Sequence, residues 1–170
     1  MKETYLNFNQ SKKANAVLDT AMVIVVITIF GIFSILSWNV WQDISPDVRE
    51  SVGDMPEANE SLNIIDERYP SLFDGLFLFI FVGLWITTLV ASFMIDAHPI
   101  FFFVSLILLI VVLAGTVYIG NFYEEIITSD TLGDSYSDFP AMHHILSNLL
   151  IYAVVIGFSI MLVLYGKTRV

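Results

Sequence analysis

The stretch that decides the fold is "VGLWITTLVASFMIDAHPIFFFVSLILLIVVL", Val82 to Leu113. Two apolar runs meet here, and the only ionisable residues between them are Asp96 and His98, with Pro99 next in line. Followed outward, the first run covers Leu72 to Ile95 with Asp74 at its edge, and the second covers Ile100 to Tyr123 without a charge. A bilayer core of roughly 30 Å needs about 20 helical residues at about 1.5 Å each, so each run is long enough to cross. The interruption then reads as a tight turn. Pro99 suits the first position of the next helix, where the N–H it lacks would be unpaired anyway. Asp96 is placed to accept from the exposed N–H groups at that helix start, beside the positive end of its dipole. A proton relay through Asp96 and His98 would need both at membrane depth, which a turn does not require.

Two further runs have the same character. Ala16 to Trp41 carries one acid, Asp19, and Ile145 to Gly166 carries none. With 56% hydrophobic residues and a mean hydropathy of +0.77, the chain lies outside ordinary globular usage. Strands of a membrane barrel would alternate apolar and polar residues, and these runs are continuous. The fold expected is all-α: an integral membrane protein of four transmembrane helices in two hairpins, spanning about 16–41, 72–95, 100–123 and 145–166. A basic polar arm, 1–15, precedes the helical domain 16–166, and a basic tail, 167–170, follows it. The first run exceeds the 7–15 apolar residues of a signal peptide and no small-x-small cleavage site follows, so it is expected to be retained.

Charge orients this layout. Lys2, Lys12 and Lys13 precede the first run and Lys167 and Arg169 follow the last, which is five of the seven bases. Both termini are therefore expected on the cytoplasmic side or its descendant. The connection 42–71 holds eight acids against Arg49 and Arg68, and 124–142 holds five acids and no base, so the opposite face is strongly negative. Trp38, Trp41, Tyr69, Phe73, Phe122, Tyr123 and Phe139 gather at that face as an interfacial belt, whereas Trp85 falls mid-helix.

Local signals fill in the connections. Ser45 followed by Pro46 predicts a short surface helix, and Ala58 to Pro70 a second one ending at its proline. In "SLFD", Ser71 is expected to cap the second membrane helix while Asp74 returns a bond to the Ser71 N–H. Gly83, Thr87 and Ala91 recur at four-residue spacing, as do Ala153 and Gly157, giving small-residue stripes suited to close helix packing.

Motifs for chemistry are sparse. His143 and His144 are adjacent, so on a helix they point about 100° apart and do not form one metal site, and the chain has no Cys. There is no phosphate loop, no Gly-x-Ser-x-Gly and no His-Glu-x-x-His, and no span carries a charge near its middle. Neither an enzymatic activity nor a cofactor nor a metal is expected, and no nucleic acid is an expected partner. The arm "MKETYLNFNQSKK" is too polar to fold alone, yet it joins Lys2, Lys12 and Lys13 with Tyr5 and Phe8. It is expected to contact anionic lipid or a protein partner.

The central stretch, together with "ILSNLLIYAVVIGFSIMLVLYGK" and the two acidic connections, resembles the small integral membrane proteins of tailless icosahedral viruses that enclose an internal lipid membrane. The resemblance covers about Phe73 to Lys167 and transfers no functional residue. It implies a structural protein that curves the membrane vesicle and binds membrane or capsid proteins of the same assembly in a virion. The expectation is thus a non-enzymatic scaffold or anchor. A small transporter, pore or holin-like protein is the alternative, and an accessory subunit of a membrane-bound enzyme complex in a cell membrane is the third.

Overall fold

The computed structural model describes residues 15–94, 99–129 and 134–167. Its elements are α1 (Asn15–Val52), α2 (Pro56–Met94), α3 (Pro99–Ile127), a 3-10 turn (Ser135–Asp138), α4 (Pro140–Ser147) and α5 (Leu149–Lys167). The chain is all-helical, without a strand among the described residues. The first three helices are each long and apolar enough to cross a membrane, which is compatible with a membrane-embedded protein.

The fourth expected span is broken. α4 and α5 meet at a bend of 74° and reach the same length and hydropathy only when taken as a pair. Asn148 makes the break. Its side-chain amide donates to the His144 carbonyl at 2.8 Å, and its own carbonyl accepts from the N–H groups of Ile151 (2.9 Å) and Tyr152 (3.2 Å). One residue thereby serves the orphan groups of both helix ends.

The connection 42–71 also differs from expectation, because Pro46 begins no helix and Pro70 ends none. α1 continues through Pro46 and α2 through Pro70. An internal proline frees the carbonyl four residues back, here that of Gln42, and the Ser45 hydroxyl donates to it at 3.5 Å. The true turn is Gly53 to Met55: Gly53 adopts φ +60° and donates to the Arg49 carbonyl, and Pro56 opens α2 at its first position. With 38 residues, α1 is about 57 Å long at 1.5 Å per residue, nearly twice the bilayer core. The two helices therefore form one continuous hairpin that is longer than a span needs by roughly 25 Å.

In the bundle α1 packs chiefly on α2, α3 on α5, α2 on α5, and α1 more sparsely on α3. Each buried face follows the helical period: Ile24, Ile27, Gly31, Ile35 and Trp38 on α1, Phe77 and Phe81 on α2, Ala153, Ile156 and Ile160 on α5. Phe30, Phe73, Tyr69 and Trp38 stack in a column between α1 and α2, with Tyr69 and Phe73 centroids 4.2 Å apart. Trp38, Tyr123 and Phe139, expected in an interfacial belt, are buried in this core. The outward faces carry Phe79, Ile86, Ile107, Ile110 and Phe158, all exposed. Five of the buried polar residues are hydroxyls tied to their own helix: Thr28, Ser34, Thr88, Ser92 and Thr116 each donate to the carbonyl four residues back at 2.8 Å. That bond is how a hydroxyl avoids an unsatisfied donor in a dry interior.

Candidate functional site

The densest polar constellation lies where the 3-10 turn and α4 dock across the sides of α1, α2 and α3. Its origin is a helix with no cap of its own. Phe139 occupies the N-cap of α4 and Pro140 its first position, so no local side chain meets the N–H groups that follow. Asp74, 67 residues before Ala141 on α2, meets them: Oδ2 accepts from Ala141 at 3.0 Å and Oδ1 from Met142 at 2.7 Å. Its negative charge lies at the positive end of the α4 dipole. Asp74 is buried, and the docked segment buries its own Phe139, Met142 and Leu146 in the apolar core.

Two further clusters hold the same segment. The Trp38 indole donates to Asp138 Oδ2 at 2.7 Å, while Ser135 donates to Gln42 Oε1 at 2.7 Å and accepts from the Asn39 amide at 3.2 Å. On the α3 side, His143 Nδ1 lies 3.1 Å from the Tyr123 hydroxyl and 3.3 Å from that of Ser147, and the Tyr136 ring sits 4.8 Å from the imidazole. The hairpin is braced farther out by Asp66, which pairs with Arg49 and accepts from the Trp41 indole at 2.6 Å; Arg49 also donates to Asn63 at 3.0 Å.

These groups hold elements together. The Ser147–His143 contact lacks the orienting acid of a nucleophile–base pair, since no described carboxylate bonds His143. Among the described residues no three His, Asp or Glu converge as metal ligands would. Burial, and then the charge of His144, push His143 below the usual imidazole range. A histidine whose folded value lies below its unfolded one keeps its full stability above the unfolded value, about 6.5, and loses it as pH falls through that value toward the folded one. The melting temperature of the purified protein is therefore expected to drop between pH 7.5 and 5.5, and a His143→Asn variant to flatten that dependence. An equal acid loss in His143→Asn would place the titration elsewhere.

The residues singled out in the sequence fall in different places. Ser71 lies inside α2, exposed, and caps nothing; Asp74 caps α4 in place of its own helix. The signal for that role was the uncapped "DFPAM" start of α4 together with an acid at the edge of an apolar run. Pro99 is the first residue of α3. Asp96 and His98, and Lys2, Tyr5, Phe8, Lys12 and Lys13, lie outside the described residues. Gly83 faces open space and Thr87 is exposed, so the stripe they form with the half-buried Ala91 faces away from the bundle. Ala153 is buried, and a Cβ placed on Gly157 would come within 2.4 Å of Leu109 Cδ1, so this second stripe sits in the α3–α5 contact.

The chain matches no model of a known family, no curated protein and no solved structure.

Proposed function

We propose that this protein is a non-enzymatic structural membrane protein that anchors a rigid acidic arm and serves as a scaffold within a larger assembly. The observation that carries the reading is the α1–α2 hairpin, whose helices run on past the Trp38–Tyr69 stack without a break at either proline. A moving or regulatory loop would not need its outer part braced by Asp66, Arg49 and Trp41. Transport has less support, because the interior hydroxyls already donate to their own helix carbonyls. In this reading α5 is the fourth span and α4 lies along the membrane boundary. Both termini then share one side, and the acidic arm stands on the other. The internal membrane of an icosahedral virion is the setting that the sequence resemblance favours.

Topology is the first test. Single cysteines at Ser51 and Thr128, both exposed in this cysteine-free chain, are expected to react with an impermeant maleimide from one side, and one at the exposed Gly166 from the other. Labelling of Gly166Cys together with Ser51Cys from one side would remove the four-span arrangement. The scaffold role is tested with a photo-crosslinking residue at Met55, on the hairpin tip. One discrete protein adduct in the native membrane, at an amount comparable to this chain, is expected. Adducts to lipid alone would overturn it.

A further inference from the structure

Among the described residues, α1 packs more sparsely on α3 than on α2. A half-open cavity of about 260 Å³ lies between α1 and α3, walled by Ala21 and Val25 on one side and by Leu108, Val111, Gly115 and Thr116 on the other. The single polar side chain among these is Thr116, and its hydroxyl is already donated to the Val112 carbonyl. The cavity thus offers nothing to a polar ligand. It is also larger than the apolar cavities of about 150 Å³ that take up benzene. Sequence neighbours of the lining residues are exposed and apolar on both helices, Met22 and Val26 on α1 and Ile107 on α3, as is Val111 in the lining itself.

We propose that this cleft seats one acyl chain of a membrane lipid, a resident ligand that completes the α1–α3 contact. The inference rests on the membrane-spanning reading above. A flexible hydrocarbon chain fits an apolar, half-open space between two adjoining spans, and the surrounding bilayer supplies it at high concentration. Gly115 forms part of the α3 wall. A Cβ built on it meets nothing within 4 Å, so the space beside α3 is real and a side chain can be grown into it without a clash.

The test uses the full chain reconstituted in vesicles of phosphatidylcholine, a fraction of which carries a diazirine midway along one acyl chain. After photolysis, label on Val25, Leu108 and Val111 is expected to exceed that on Phe79 and Ile86, which are exposed on α2 away from the cleft. Gly115→Leu, and separately Ala21→Leu from the other wall, should lower the cleft label several-fold and leave Phe79 and Ile86 unchanged. Gly83→Leu, at a glycine that faces open space outside the cleft, should move neither. Helicity by circular dichroism identifies any variant that fails to fold, and the two filling variants stand in for one another. The proposal is overturned if cleft and outer label are equal, or if neither filling variant lowers the cleft label. It is also overturned if the cleft takes little label while Phe79 and Ile86 take their full share, because a protein segment, from residues 1–14 or a second copy, would then occupy it. Absence of label from all apolar helices would count against the membrane reading itself.

Discussion

Asp74→Ala is expected to destabilise the protein by about 3 kcal/mol, because two N–H groups lose a charged acceptor in a buried place. The Ala141 and Met142 amides at 3.0 and 2.7 Å have no local replacement, since Phe139 at the N-cap cannot accept from them with its side chain. The loss should be uneven over the molecule. Hydrogen exchange at Ala141 and Met142 should accelerate most, and the α1–α2 hairpin, which has its own bracing, should keep its protection. Asp74→Asn keeps one acceptor oxygen and gives up the charge beside the helix start, so a cost of about 1 kcal/mol is expected. Denaturant unfolding in detergent micelles orders the three proteins. Equal stability of Asp74→Ala and wild type would mean that α4 is held by its apolar contacts alone.

Gly31→Leu is the second large effect. A Cβ at Gly31 would lie 2.6 Å from Leu146 Cδ1, 3.2 Å from Phe77 Cε2 and 3.4 Å from Met142 Cγ. The first of these is the end of a flexible side chain, but the site is closed by three residues on two other helices, so a leucine has nowhere to turn. Overpacking of about 3 kcal/mol or more is expected, and it acts on the same docked helix as Asp74. Gly31→Ala should cost less, because Leu146 alone must give way. Gly83→Ala serves as the contrast: with open space around it, replacement should stabilise α2 by about 0.5–1 kcal/mol through helix propensity. If Gly31→Leu melted at the wild-type temperature, α4 would not pack where the structure places it.

The apolar parts of this architecture were legible in the sequence, because hydrocarbon thickness sets the minimum apolar length of a crossing helix. The runs beginning near Ala16, Leu72 and Ile100 fall within α1, α2 and α3. The polar parts were less legible. Pro46 and Pro70 read as helix boundaries, yet both lie inside helices, Pro46 beside a serine whose hydroxyl is 3.5 Å from the freed carbonyl. The better signals were Gly53, a residue free to adopt positive φ, and Pro56 three positions later. Asp74 fits a local capping pattern with Ser71 in the sequence. Its actual partners lie 67 and 68 residues away, a distance no short pattern carries. Asn148 was hidden for a similar reason: one polar residue in an apolar run looks tolerable until its side chain and carbonyl are seen to end one helix and begin another.

The Asp74 bond has a consequence for biogenesis. The chain emerges from the ribosome in order, so the first hairpin is complete before the helix that Asp74 caps has been made. Until Ala141 and Met142 arrive, that hairpin carries a carboxylate at the edge of its apolar segment with only water or lipid headgroups for partners. The first hairpin is thus unfinished on its own, and α4 supplies the donors that it lacks. A chain truncated before Pro140 would keep the Asp74 carboxylate without the two N–H groups that it bonds in the folded protein.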